Sequence, residues 1–166
     1  ALIALISAIV SFLITVAFYL LQSVPLFLMA RKAGYKHAWM AFFPYTNDFL
    51  TFILPAREFN IFNWIKSNKR DMMALIYLGL VVFGYGALGI VTTITAPIPG
   101  LGALVASCGG FVLTFAIYMF KWRMYYDLLM TFGQKSNALW VSIVSLFVPW
   151  LFMIFTLFSC KNPPEY

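Results

Sequence analysis

The chain has 166 residues, of which 63% are hydrophobic, 19% aromatic and only 10% charged. Too few charges are available to cover a water-exposed surface of that size, so a soluble globular domain is excluded and the membrane class is expected. The net charge of +6 does not indicate nucleic acid, because the basic residues lie in short blocks at the ends of apolar runs and not along a soluble element.

The first apolar run, 2–29, lacks a basic n-region and outlasts a signal-peptide core, so it reads as a true span. A helix of that length is about 40 Å long and crosses a hydrocarbon core of about 30 Å with tilt. Arg31 and Lys32 stop it at the headgroups, and Gly34 suits the turn that follows. The piece 38–55 is apolar but interrupted by Pro44-Tyr45-Thr46-Asn47-Asp48. It is slightly short for a span, and is expected as two short helices that re-enter the membrane or lie in its interface, with Trp39 as an interfacial anchor. Thr46 or Asn47 is expected to cap a helix starting at Asp48.

In 58–70, Ile61, Phe62 and Ile65 share one side of a helical wheel, and Asn60, Asn63, Lys66, Ser67 and Arg70 the other. That pattern predicts an amphipathic helix on the membrane surface. Further spans are expected over 72–95, 101–126 and 138–160, the last with Pro149 at its middle. Residues Lys121 to Asp127 read as an interfacial, aqueous extension. The fold expected is therefore all-α and integral to the membrane, in a single domain. It comprises four transmembrane helices, a broken re-entrant or interfacial segment and the surface helix.

If the loops 31–37, 57–70 and 121–135 share one side, that side holds every Lys and Arg of the eleven except Lys161. By the positive-inside rule this side is cytoplasmic, which with four spans leaves both termini outside.

Candidate sites are few. Asn47 and Asp48 are a polar pair near the membrane, where such groups mark ion or substrate paths; capping at a helix N-terminus is the plainer reading. Pro44, Trp39, Arg31 and Lys32 complete the set of ligand or partner candidates. Gly102, Ala106 and Gly110 recur every four residues and allow close helix packing, within the bundle or with another subunit. The single His37 makes neither a bis-His haem site nor an H-E-x-x-H zinc site, and Cys108 and Cys160 have no metal-ligand spacing; both fall toward the outer leaflet. No lysine, arginine or glutamate is expected inside a span, and no nucleophile–base pair, P-loop or dinucleotide fingerprint occurs. No catalytic residue, cofactor or metal is therefore expected.

Lys32-Ala33-Gly34, Trp39 and Pro44-Tyr45-Thr46-Asn47 resemble the K-A-G…W…P-x-x-N segment of a family of small bacterial multi-pass membrane proteins of unassigned function, sometimes mislabelled signal-peptidase-like. Phe132-Gly133-Gln134-Lys135 and the tail ending in Pro164-Glu165-Tyr166 are similar to that family's F-G-K turn and C-terminus. The surface-helix insertion, and Lys135 standing one place after Gln134, depart from its pattern. The resemblance implies a bacterial cytoplasmic-membrane location and the importance of 31–48, and it implies no reaction. Two functions are expected from these observations. The first is a non-enzymatic accessory or assembly subunit of a larger membrane complex such as a transporter. The alternative is a stand-alone binding or transport protein for a lipid or small amphiphile, as a homo-oligomer. Partners are membrane lipids and a larger membrane protein or further copies of the chain, without nucleic acid.

Overall fold

The computed structural model describes residues 2–166. They form six α-helices and one β-hairpin: α1 (Leu2–Lys32), a 3-10 turn (Ala38–Phe42), α2 (Thr46–Ile53), β1 (Phe59–Ile61), β2 (Ile65–Ser67), α3 (Arg70–Thr95), α4 (Leu101–Thr131), α5 (Ala138–Ser145) and α6 (Pro149–Ser159). Three of these, α1, α3 and α4, are long and apolar enough to cross a membrane.

The fourth apolar stretch is two helices and not one. Pro149 has no N–H with which to extend α5, and it sits at the first turn of α6 behind an extended Val148. The chain then returns to where α4 ended. Glu165 donates its N–H to the Thr131 carbonyl at 2.7 Å, and Asn162 Nδ2 donates to the Phe132 carbonyl at 3.0 Å. Lys32 Nζ at the end of α1 donates to the Lys161 carbonyl at 2.6 Å. The single spanning helix expected over 138–160 is thus replaced by two shorter helices, α5 and α6. The C-terminal tail lies among the basic loops, whereas the start of α1 lies a full helix length, about 46 Å, from Lys32. Cys160 likewise sits at the basic end, and both cysteines are free thiols.

The surface helix over 58–70 is also corrected. Phe59–Ile61 pairs antiparallel with Ile65–Ser67, with Asn60 opposite Lys66. Phe62 and Asn63 both have positive φ, 46° and 62°, and Trp64 donates its N–H to the Ile61 carbonyl at 2.9 Å. Two successive positive-φ residues match the twist of a tight hairpin. Asn60 Oδ1 accepts the Asn63 N–H at 2.8 Å, and Phe62 stacks on Trp122 at 5.4 Å, which holds an otherwise strained backbone in place. Phe59 and Ile61 are buried with Asn60 between them. That alternation with a period of two prevailed over the helical spacing.

In the segment 38–55, α2 begins at Thr46 and not at Asp48, and its N-terminal flank, Tyr45, supplies no side-chain cap. Thr46 Oγ1 instead donates to the Met40 and Phe43 carbonyls at 2.6 and 3.1 Å, tying α2 to the 3-10 turn. Phe42 packs on Phe27 at 5.3 Å, so the turn doubles back along α1.

The two ends of the chain share one plan. Both α1 and α4 close on a left-handed glycine, Gly34 at φ +72° and Gly133 at φ +82°. In both, a bond from the residue after the glycine reaches back five positions: Tyr35 N–H to the Ala30 carbonyl and Gln134 N–H to the Leu129 carbonyl, each 2.9 Å. Only glycine takes this conformation without strain, and the bond satisfies a carbonyl that the helix end leaves free. A buried alanine follows in each, Ala38 and Ala138, then an in-turned short segment, then a returning helix with a buried threonine, Thr51 in α2 and Thr156 in α6. α2 packs chiefly on α3 and reaches both α4 and α1, and α6 packs on α1 and α5. α1 and α4 run the same way, since the ends of both lie at the C-terminal tail.

The core lies wholly at the basic end. Met29, Leu50, Phe52, Phe59, Met124, Leu128, Leu129 and Phe132 are fully buried there. Along the most apolar window of α1 no residue is buried, and in α3 and α4 the shares are 11% and 6%. In the outer half α3 and α4 form an antiparallel pair, with Leu113 beside Gly84 and Leu88 beside Gly109. The expected stripe takes only part in this contact. Gly102 abuts Ala96 of the connecting turn and Gly110 faces Leu88, but Ala106 is exposed.

Candidate binding site

α2 lies across the centre of the core, and its polar residues meet all four neighbouring helices. Tyr77 of α3 donates its hydroxyl to Asp48 Oδ2 at 3.3 Å. Asn47, Asp48 and Thr51 line a small cavity with Gln22 and Leu26 of α1, Tyr125 of α4, and Phe152 and Thr156 of α6. Its volume, about 10 Å³, accommodates about one water molecule. Tyr125 and Phe152 stack at 3.8 Å and form one wall. Asn47 Oδ1 accepts the Asp48 N–H at 2.6 Å, which fixes the carboxyl-bearing turn. Burial pushes the Asp48 carboxyl above the ordinary carboxylate range; the charge of Lys121 and the bond from Tyr77 oppose that shift.

Gln22 also lines a second, open groove of about 310 Å³ between α1 and the start of α6, with Thr15, Phe18, Tyr19, Pro149, Trp150 and Met153. The Tyr19 hydroxyl is buried there without a hydrogen-bond partner. Gln22 lines both the groove and the cavity, so a polar centre in the core and a largely apolar slot between two helices lie on either side of one side chain.

Of the residues singled out in the sequence, Asn47 and Asp48 are brought to this centre. The others are not. Arg31 lies over the Phe27 ring at 5.7 Å and shares a separate surface groove with Trp39; Lys32 clasps the C-terminal tail. Trp39 packs edge-on against His37 and Phe43, and Pro44 is an exposed corner. No group of three or more His, Cys, Asp or Glu side chains placed to hold a metal occurs among the described residues.

A second polar cluster was not anticipated, since no buried arginine was expected in a span and Asp127 was read as aqueous. Asp127 is 0% exposed and Arg70 is 5% exposed. Arg70 Nη1 lies 2.8 Å from Asp127 Oδ2, and Arg123 Nη2 lies 3.0 Å from Asp127 Oδ1. Arg70 Nε donates to the Phe52 carbonyl at 2.6 Å and Nη1 to the Arg57 carbonyl at 2.9 Å. The guanidinium thus ties the end of α2 and the following loop to the α3–α4 pair. A buried charge is tolerated only when paired and hydrogen-bonded in this way. The sequence carried a signal for it: Arg70 and Asp127 stand almost equidistant from the turn at 96–100, so an antiparallel pair sets them side by side.

Comparison with protein-family models, with curated proteins and with solved structures gives no match.

Proposed function

We propose that the chain is a non-enzymatic membrane protein that binds, and carries, a small cationic amphiphile. The polar head sits against Asp48 and the apolar part lies in the α1–α6 groove. The observation that carries this reading is that Gln22 is shared by the linings of the Asp48 cavity and of a slot open at the helix surface, so movement of that one side chain would join them. The site lies where α1, α2, α4 and α6 converge, between helices of the bundle, a common place for a ligand. The cavity is small, so a ligand larger than water enters by parting α1 and α6, which Pro149 and the uncapped start of α6 make easy.

The test is binding of a long-chain primary amine to the full chain in nanodiscs. Asp48→Asn is expected to weaken binding by about tenfold or more, the loss of one charge-assisted contact. Unchanged affinity in Asp48→Asn overturns the reading. The amine needs the ionised carboxylate, so wild-type affinity rises as pH climbs through the raised Asp48 value. Stability moves the opposite way. A carboxyl whose folded pKa lies above its unfolded one contributes stability that is complete below about pH 4 and is lost as pH rises through the folded value. Asp48→Asn removes both dependences.

A second reading, an accessory subunit, is favoured by one observation. None of the described residues in the most apolar window of α1 is buried, and the helices of a larger protein fit against that surface. Co-purification of a stoichiometric larger protein, with no amine binding, would select it.

For the arrangement in the membrane, we propose three spans with 38–55 and 138–160 as two re-entrant hairpins, the basic end and C-terminus cytoplasmic, and the N-terminus outside. The positions of Lys32, Lys161 and Lys135 at one end support this, since the charge bias then has no exception. A reporter fused after Tyr166 is expected to be active only as a cytoplasmic fusion. Activity of a periplasmic reporter at that position would overturn the topology.

A further inference from the structure

Arg70 is the first residue of α3, and three of its bonds are accounted for by Phe52, Arg57 and Asp127. Its Nη2 is buried and has no partner. Two guanidiniums face the single carboxylate of Asp127, so the cluster keeps one positive charge in excess. Arg70 also lines a groove of about 350 Å³ with Arg57, Glu58, Asn68 and Asp71. At about 30 Å³ per water this holds roughly ten waters, enough for a headgroup and too little for acyl chains.

The groove opens on the start of α3. Lys69, which precedes the helix, contributes no side-chain cap, so the first-turn N–H groups and the positive end of a 26-residue dipole are left for a ligand. A bare anion is only half of the fit, because the exposed carboxylates of Glu58 and Asp71 share the same lining. The five side chains therefore present two cations and two anions within one recess, at the end of the molecule where the basic residues gather.

We propose that this groove holds the headgroup of a zwitterionic aminophospholipid. Arg57 and the α3 N-terminus take the phosphodiester, with the excess positive charge of the buried Arg70–Asp127–Arg123 cluster behind them, and Glu58 and Asp71 take the primary ammonium. Phosphate recognition at a helix start is common; the paired carboxylates distinguish an ammonium-bearing headgroup from phosphatidylglycerol, which lacks the charge. They also distinguish it from a choline headgroup, which cannot donate hydrogen bonds. The site is independent of the Asp48 cavity and shares no residue with it.

The experiment uses the full chain in nanodiscs containing equal parts of phosphatidylethanolamine, phosphatidylglycerol and phosphatidylcholine, with retained lipid counted by native mass spectrometry. Phosphatidylethanolamine is expected to be retained over the other two by about tenfold. Arg57→Gln lowers retention of every phospholipid. The double variant Glu58→Gln/Asp71→Asn loses the ethanolamine preference and retains phosphatidylglycerol at least as well. All three positions are exposed, and circular dichroism verifies that the variants fold. Equal retention of the three lipids, or an undiminished preference in the double variant, overturns the proposal. A further arm adds soluble phosphoethanolamine or inorganic phosphate. Displacement of the lipid by inorganic phosphate as effectively as by phosphoethanolamine identifies a plain anion site and overturns it too.

Discussion

Asp127→Asn is expected to cost the folded chain about 3–5 kcal/mol, because it leaves the buried Arg70 guanidinium, and the Arg123 guanidinium beside it, without a counter-charge. The loss is measured as the shift of a reversible denaturant transition in mild detergent. The size follows from position, since this carboxylate is wholly buried and Arg70 nearly so. It differs from the exposed Lys135–Glu165 pair, where solvent screening leaves little to lose. Replacing both partners by apolar residues of similar volume, Arg70→Met with Asp127→Leu, recovers part of that cost, since the Arg70 charge is removed with its counter-charge while Arg123 is still left unpaired. The loss will not be recovered fully, because Arg70 also donates to the Phe52 and Arg57 carbonyls. A cost below about 1 kcal/mol for Asp127→Asn, the scale of a surface pair, would show that the pair is hydrated in the membrane and not buried.

Phe52→Ala is the second large effect, expected at about 3 kcal/mol, the low end for a buried phenylalanine. Phe52 is fully buried and touches Tyr77 at 5.1 Å, Phe59 at 5.7 Å and Phe120 at 6.4 Å between ring centres. The low end applies because lipid is as apolar as the core, so the loss is one of packing and not of transfer from water. The variant also loosens the hold of α2 on α3 and α4, so Asp48 and Tyr77 separate and amine binding falls along with stability. Retained stability with lost binding would place Phe52 in the ligand site and not in the scaffold.

How far the sequence revealed this architecture differs from place to place. The three long helices and the basic end were plain, because apolar length and charge position are properties of single segments. The hairpin at 59–67 was not. Phe59, Ile61, Phe62 and Ile65 satisfy both a helical and an alternating pattern, and the choice fell to Asn60 and Asn63, whose side chains bond across a tight turn. The hairpin of α5 and α6 was read as one span because 138–160 has the right length. Pro149 stands at the middle of that stretch, and only the contacts of the tail with Thr131 and Phe132 reveal a reversal. The glycine-closed ends of α1 and α4 were legible in part, since Gly34-Tyr35-Lys36 and Gly133-Gln134-Lys135 each set a glycine before a basic residue. Asn47 and Asp48 stood out from the sequence as polar residues in an apolar run. Their companions Tyr77, Tyr125 and Thr156 did not, since a lone hydroxyl within a span has no pattern of its own until tertiary contacts converge on it.

The two in-turned hairpins give the molecule an uneven cross-section. Near the basic end α1, α3 and α4 are joined by α2, α5 and α6; beyond the midpoint only the three long helices remain. In a bilayer such a body is a wedge, displacing more lipid area from the leaflet at the basic end than from the opposite one. That asymmetry is relieved where the basic-side leaflet is the expanded, convex one. Shape alone is then expected to bias the protein laterally toward membrane of that curvature.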